Sequence, residues 1–325
     1  MHTVFAGDIG GTKTRLAVVE VSDLQLTILR EASYASRDFA SFDLLLGDFL
    51  SSITPPRRAA FGVAGPVQGR VVQTTNLPWR IDADALQAKF GFERCMLIND
   101  LEATACGLPA LGESDLLTLQ EGARDAFGNA AVIAPGTGLG EAGLYWDGEN
   151  HLPFATEGGH ASFSPGSELE IALLRYLKMQ YQHVSWERVV SGAGLVSLHD
   201  FLREHRKMPV PQWLHKEIQS MGAAAISKAA IEGSDEICVE TLECFARLLG
   251  AEAGNLALKV MSRAGLYVGG GIAPKILPAL ASGAFLEAFL DKGRMRHLLE
   301  AMPVKVILND RAALYGPALR AGEMR

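Results

Sequence analysis

Apolar and polar positions change period in a regular order along this chain. Val4–Asp8, Thr14–Val19 and Leu26–Arg30 are short runs of apolar and β-branched residues separated by turn residues, and they predict three strands in a meander. Phe42, Leu45, Leu46 and Phe49 then recur at helical spacing within 39–50. Strands at Ala59–Ala64 and Cys95–Ile98 follow, each leading into a loop and helix-like sequence. The second half repeats the theme, with strands at Ala130–Ala134 and Ala142–Trp146 on either side of a glycine cluster. Ser167 and Glu170 form a capping-box pattern that opens one helix, and Leu195, Leu198, Phe201 and Leu202 mark the next. A long helix near 237–262 carries Leu242, Phe245, Leu249, Leu256 and Val260 on one side. Gly265–Val268 reads as a strand, 275–290 as a helix, Val304–Leu308 as the last strand, and a closing helix runs from about Arg311.

Strands in a meander, then strands alternating with helices, predict α/β layers with a mixed sheet, and the chain does this twice. At 325 residues it also exceeds the roughly 250–300 at which a single core stops growing. We therefore expect a small α/β domain over 1–110, joined by a helix at 308–325 that packs back on it, and a larger one over 111–307. The cleft between two such domains is the default place for a site. Hydrophobic residues at 48% and charged residues at 21% exclude a mainly disordered chain. With 30 basic and 37 acidic side chains there is no basic excess for nucleic acid, and the Arg203–Lys207 cluster is diluted by Glu204. No apolar run approaches the ~18 residues that span a bilayer, and no secretory leader precedes Val4. Cys95, Cys106, Cys238 and Cys244 form no CxxC pair and no metal-ligand spacing. Reduced structural thiols in a cytoplasmic protein are the expectation.

Glycine changes the picture. The chain holds 34, and several fall in clusters at predicted strand ends. Gly7-Asp8-Ile9-Gly10-Gly11-Thr12-Lys13-Thr14 lies between two strands and is a hairpin turn. Adjacent glycines admit positive φ and leave no Cβ, so backbone N–H groups can approach an anion. Thr12 and Thr14 add hydroxyls, and Asp8 can hold Mg²⁺ or its waters. A glycine hairpin in which Asp8 bonds its own turn is the plainer alternative. Pro135-Gly136-Thr137-Gly138-Leu139-Gly140-Glu141-Ala142-Gly143 is a second glycine–threonine hairpin. Its formal GxGxxG match is rejected, because that fingerprint must open a helix whereas Leu144-Tyr145-Trp146 continues as strand. No Walker A sequence occurs in either loop. Two such hairpins, one per half, suggest two jaws on one polyphosphate. Gly269-Gly270-Gly271 ends a strand and starts a helix, where a flat ring or ribose can lie on bare backbone; a close strand–helix turn reads as well.

The Gly7–Thr12, Gly136-Thr137-Gly138 and Gly269–Gly271 segments resemble the phosphate-1, phosphate-2 and adenosine motifs of the sugar kinase, heat-shock chaperone and actin superfamily. Their order and spacing match across the whole chain. The resemblance implies a two-domain actin-like ATPase (ribonuclease H-like) fold, with the active site in the interdomain cleft. It also implies ATP bound through Gly7, Asp8, Ile9, Gly10, Gly11, Thr12, Gly136, Thr137, Gly138, Gly270 and Gly271.

Met96-Leu97-Ile98-Asn99-Asp100 is a strand ending in two polar residues where a helix begins, which is where open α/β sheets place ligands. Asp100 is placed to accept a hydroxyl proton, since phosphoryl transfer relies on positioning more than on a strong base. The helix N-terminus is expected to keep it ionised. A simple Asn or Asp N-cap is the alternative. Thr156-Glu157-Gly158-Gly159-His160 sets an acceptor and a donor side by side, as vicinal sugar hydroxyls need; a surface turn reads equally well. Glu187 by itself is an ordinary helix-start glutamate. Together, Glu-Gly-Gly-His, Glu187 and Ser191-Gly192-Ala193-Gly194-Leu195 resemble the pattern of bacterial glucokinases. That resemblance implies Asn99, Asp100, Glu157, His160 and Glu187 on the hexose hydroxyls, Asp100 as base, and Asn76 lining the same site. Sugar kinases and repressors of the ROK type carry a cysteine-rich zinc motif after the Glu-x-x-His region. Here 161–188 holds no cysteine, so no structural zinc is expected, and strand Val4–Asp8 leaves no room for a DNA-binding helix pair.

The expected activity is transfer of the γ-phosphoryl group of ATP to the 6-hydroxyl of glucose, with Mg²⁺ associated with Asp8 through water and domain closure to exclude solvent. A kinase for mannose or an amino sugar, or an actin-like nucleotide switch, are the alternatives. ADP or polyphosphate stays open as donor, and a homodimer is implied by resemblance alone.

Overall fold

The meander expected at the start of the chain forms as β1 (His2–Ile9), β2 (Lys13–Ser22) and β3 (Gln25–Ala35). Helix α1 (Phe42–Leu50) buries Phe42, Leu45, Leu46 and Phe49, and Ser41 caps it by accepting from Leu44 N–H at 3.4 Å. After β4 (Arg58–Val63) come three short strands, β5 (Val67–Gln68), β6 (Val71–Gln73) and β7 (Arg80–Asp82), then α2 (Ala83–Phe90), β8 (Arg94–Asn99) and α3 (Asp100–Gly107). The computed structural model describes residues 2–74 and 76–324. It divides into two compact units, unit 1 being Met1–Asp115, Pro153–Ala155 and Asn309–Arg325, and unit 2 Leu116–Leu152 and Thr156–Leu308.

Among the described residues the unit 1 sheet has the order β3-β2-β1-β4-β8. β1, β2 and β3 pair antiparallel, whereas β1, β4 and β8 run parallel, with Asp8 opposite Gly62 and Val63 opposite Asn99. The C-terminal ends of the three parallel strands therefore share one edge. Phe5, Phe42, Phe49, Phe61 and Phe92 fill the core on one face, in edge-on and stacked ring pairs. The other face is covered by α12 (Ala312–Glu323), which packs on α3, β1 and β4. Small residues permit this crossing: a Cβ on Gly316 would overlap the Ala103 carbonyl, and one on Gly107 the Ala312 carbonyl.

Unit 2 repeats the plan. Its strands are β9 (Leu116–Gln120), β10 (Ala130–Pro135), β11 (Leu139–Trp146), β12 (His151–Thr156), β13 (Gly265–Val268) and β14 (Val304–Ile307). Their order is β12-β11-β10-β13-β14-β9, so a meander again runs into parallel strands, here with β9 added antiparallel at the edge. The helices are α4 (Glu168–Lys178), α5 (Gly192–Arg206), α6 (Gln212–Met221), α7 (Ala223–Ile231), α8 (Glu236–Val260), α9 (Leu277–Ala281), α10 (Ala284–Leu290) and α11 (Arg296–Glu300). The capping box at α4 is modified. Ser167 accepts from Glu170 N–H, but the Glu170 carboxylate accepts from Gly166 N–H at 2.6 Å rather than from the cap residue itself. The single helix expected near 275–290 is instead a 3₁₀ turn (Ala273–Lys275) followed by α9 and α10, interrupted at Gly283 with φ 104°. Buried α8 meets α10 closely, because Gly250 and Gly254 leave room for the Phe285 and Phe289 carbonyls. No helix among the described residues is long and apolar enough to cross a membrane.

Candidate active site

In unit 1 the first glycine turn is tight. Ile9 pairs with Thr14, and Gly10 N–H donates to the Lys13 carbonyl at 3.0 Å. The Gly11 and Thr12 N–H groups have no protein partner among the described residues. Positive φ is not what the glycines supply, contrary to expectation; neither Gly10 nor Gly11 adopts it. Their need is steric, since a Cβ on Gly10 would lie 2.9 Å from the Lys13 carbonyl oxygen and one on Gly11 2.7 Å from Asn76 Cβ. Gly7 and Ile9 lie within β1, Gly7 giving way to the Phe61 ring and the Leu16 side chain. Thr14 is buried and its hydroxyl is shared with Ser36 at 2.9 Å, so it is not presented to a ligand. Ser36, which the sequence reading passed over, staples the turn: its hydroxyl donates to the Gly10 carbonyl at 2.8 Å and its N–H to the Thr12 carbonyl at 3.0 Å.

Asp8 stands half-buried at the end of β1, directly across from Arg15 on β2. Burial pushes its carboxyl up to about 6, against the pull of the Arg15 and Lys13 charges. Arg15 is itself committed to Asp310, through Nη2 to Oδ2 at 2.5 Å and Nη1 to the carbonyl at 3.0 Å, with Glu31 at 3.4 Å from Nε. The Asp8 carboxylate accepts no hydrogen bond among the described residues. A desolvated carboxylate of this kind suits a hydrated divalent cation. No cluster of three or more His, Cys, Asp or Glu able to enclose a metal occurs among the described residues.

Asn99 ends β8 on the same sheet edge as Asp8, and Asp100 begins α3 directly after it. Asn99 is the N-cap of α3, its Oδ1 accepting from Leu101 N–H at 2.9 Å and Glu102 N–H at 3.3 Å, while Nδ2 donates to the Gly65 carbonyl at 3.3 Å. The capping alternative is thus realised for Asn99. Asp100 occupies the first helical position, with Oδ1 accepting from Leu101 N–H at 3.0 Å.

Unit 2 gathers Glu157, His160 and Glu187. Ala161–Phe163 pairs antiparallel with Val184–Trp186 through Trp186 N–H to the Ala161 carbonyl and Phe163 N–H to the Val184 carbonyl, which draws His160 toward Glu187. His160 then stands 3.8 Å from Glu157 Oε2 through Nε2 and 4.0 Å from Glu187 Oε1 through Nδ1. Glu157 and His160 are exposed. Glu187 Oε2 accepts from Leu139 N–H at 3.0 Å, seating the carboxylate against the second glycine turn. That turn is closed by Gly136 N–H to the Gly138 carbonyl at 2.8 Å, which leaves the Thr137 and Gly138 N–H groups without a protein partner among the described residues. Gly138 is glycine because a Cβ would overlap Glu187 Oε2. Ser191 and Gly192 lock the arrangement, the hydroxyl donating to the Glu187 carbonyl at 2.7 Å and Gly192 N–H to the Gly136 carbonyl at 2.9 Å.

Of the triple glycine, Gly270 has φ 78° and packs under the Pro135 carbonyl, whereas Gly271 faces open space. A pocket of about 500 Å³ opens beside these turns. It is lined by Gly136, Thr137 and Leu195, by the apolar Ile231, Ile272 and Ile276, and by the polar Ser227, Lys228, Glu232 and Lys275. An apolar slot with a few polar groups at its mouth fits a nucleoside. The α7 residues of this wall escaped the sequence reading, although Ala223, Ser227 and Ile231 recur at helical spacing with small side chains.

A sequence model of the glucokinase family matches residues 5–324. The chain is 43% identical to a glucokinase of Trichormus variabilis, over 100% of both chains. It superposes on the crystal structure of a glucokinase from an Antarctic psychrotroph with a TM-score of 0.86 at 32% identity, again over 100% of both. This chain belongs to the glucokinase family. Membership makes it an ATP-dependent sugar kinase of the actin-like ATPase fold. A ROK family glucokinase from Streptomyces griseus, solved with glucose and AMPPNP, shares that fold at a TM-score of 0.66 and 22% identity, covering 99% of this chain and 100% of its own.

Proposed function

We propose that this family member transfers the γ-phosphoryl group of ATP to the 6-hydroxyl of glucose. One observation carries the proposal beyond a nucleotide switch: Glu187 is brought beside Glu157 and His160 at the rim of a glycine turn, with Glu157 and His160 exposed and Glu187 half-buried. Two carboxylates and an imidazole offer acceptors and a donor to neighbouring sugar hydroxyls. Asn99, Asp100 and Asn76 make the corresponding set in unit 1. Asp100 accepts the proton of the attacking hydroxyl, its position fixed by the first turn of α3. The unpaired N–H groups of Gly11 and Thr12, and of Thr137 and Gly138, donate to phosphate oxygens. The pocket beside Gly271 takes the adenosine. Asp8 would hold Mg²⁺ through water, and the bound ion would supply neutralisation of the phosphate charge.

The reading is tested by a coupled assay that crosses glucose, mannose and glucosamine with ATP, ADP and polyphosphate. The highest kcat/KM is expected for glucose with ATP; ATP hydrolysis indifferent to every sugar would instead identify a nucleotide switch. Asp100→Ala is expected to lower kcat by about a hundredfold or more, and near-normal turnover would remove it from the proton-accepting role. We further infer a homodimer in solution, read by light scattering.

A further inference from the structure

One buried group in unit 2 has no part in the chemistry above. Glu141, on β11, is 1% exposed and its Oε1 has no hydrogen-bond partner among the described residues. Its carboxyl lies against the main chain of Gly158, where a Cβ would stand 2.7 Å from Glu141 Cδ and overlap Oε2. The same residue holds the turn a second way: the Thr156 hydroxyl donates to the Glu141 carbonyl at 3.0 Å and accepts from Gly158 N–H at 3.2 Å. Gly158 sits between Glu157 and His160, so Glu141 forms the bed on which those two side chains are mounted.

We propose that the buried Glu141 carboxyl is a positioning residue for the sugar acceptor, fixing the Glu157–His160 turn from beneath. This rests on the reading that Glu157 and His160 bind the sugar. The bed is sensitive to charge. Glu252, on α8, faces Glu141 from below and is wholly buried; it is bonded by Asn255 Nδ2 at 2.8 Å and Lys259 Nζ at 3.4 Å. Lys259 also faces Glu141, and Lys292, itself near Asp291 and Glu170, faces Glu252. Burial, and then the Glu252 charge, push the Glu141 carboxyl up to about 8. At neutral pH it is therefore a neutral acid that can lie on a peptide group. When ionised it meets the Glu252 carboxylate with one orphaned oxygen, and the turn above it must move.

The test measures KM for glucose and for ATP from pH 6.5 to pH 9.5 in the full chain carrying Glu141→Ala, Glu141→Gln or Glu157→Ala (the pH limits are about one and a half units either side of the expected transition). Glu141→Ala is expected to raise the glucose KM on the order of tenfold with the ATP KM unchanged within about twofold. Glu141→Gln, neutral and of the same shape, is expected to keep the wild-type glucose KM near pH 7. The wild-type glucose KM is expected to rise above pH 8, and Glu141→Gln is expected to abolish that rise. If Glu157→Ala weakens glucose binding but Glu141→Ala does not, the positioning role is overturned while the sugar-site reading stands. If neither changes the glucose KM, the sugar-site reading falls and takes the proposal with it. Should Glu141→Ala fail to fold, the pH profile of Glu141→Gln decides alone, and a profile superimposable on wild type overturns the proposal.

Discussion

Gly138→Ala separates two explanations of the second glycine turn. If the glycine serves only to bring backbone N–H groups to a phosphate, a methyl group there should weaken ATP. The geometry says that the methyl meets Glu187 first: a Cβ would lie 3.2 Å from Glu187 Cδ and overlap Oε2. Ordinary contact requires the carboxylate to retreat by about 1 Å, which stretches its 3.0 Å bond from Leu139 N–H beyond the ~3.5 Å useful limit. A hydrogen bond to a charged group is worth about 1.5–3 kcal/mol, so a sugar contact that depends on this seating should weaken by roughly 10- to 150-fold. We expect the glucose KM to rise by at least tenfold and the ATP KM by much less. Adding Glu187→Ala should cost little more, because both changes remove the same seated carboxylate. Steady-state kinetics of the two single variants and the double variant, with circular dichroism to confirm folding, make the measurement. A glucose KM unchanged in Gly138→Ala, with a raised ATP KM, would refute the reasoning.

Three further outcomes concern stability. Gly250→Val places a branched side chain where α8 meets the Phe285 carbonyl, and should lower the unfolding free energy by about 3–5 kcal/mol, read from urea denaturation, whereas an unchanged midpoint would mean that α10 yields without cost. Arg203→Ala should cost about 3–5 kcal/mol, because the buried guanidinium bonds Asp235 at 2.5 Å, the Pro209 carbonyl at 3.2 Å and His199 at 3.1 Å; Arg206→Ala, which removes the exposed pair with Glu240, should cost under ~1 kcal/mol. The Glu141 carboxyl, raised from 4.5 to about 8, holds a proton in the native state that the unfolded chain has already released, so stability should fall as pH rises from about 4.5 to about 8. Glu141→Gln should lose that decline, and its Tm advantage over wild type should grow between pH 5 and pH 8; parallel Tm curves would contradict the assignment.

What could be read without coordinates is what depends on neighbours along the chain. The strand Gly265–Val268 is observed with the bounds expected, and β1, β4, β8 and β10 differ from expectation by a residue or two, because β-branched and apolar runs bounded by glycine leave few alternatives. The three-stranded hairpin β5–β7 and the edge strand β12 were invisible. Two or three residues per strand carry no period, and β12 alternates exposed Leu152 and Phe154 with Pro153 between them. Helices α6 and α7 escaped for a different reason. Alanine and serine dominate α7, so its pocket-facing side is marked by small size rather than by hydrophobicity.

The glycines show where local reading ends. Their positions at strand ends were legible, and so was the chemistry of bare backbone, but the reason for each glycine was a partner elsewhere in the fold. Gly11 yields to Asn76, Gly138 to Glu187, Gly158 to Glu141 and Gly270 to Pro135. In three of these four cases the partner is either a residue assigned to sugar binding or the bed beneath one. A motif that looks like a phosphate loop thus also makes room for a side chain from elsewhere: the missing Cβ admits Asn76 at Gly11 and the Glu187 carboxylate at Gly138, the two side chains we propose for the sugar. On the proposed assignment the two halves of the reaction meet at one turn in unit 2, since Leu139 N–H binds Glu187 while the neighbouring Thr137 and Gly138 N–H groups have no protein partner among the described residues. A phosphate drawn onto those N–H groups has to lie near the seated Glu187 carboxylate, and like charges there are tolerable only if a sugar hydroxyl or a cation intervenes. On the proposed assignment, a sugar hydroxyl or a cation beside Glu187 therefore eases phosphate binding at this turn.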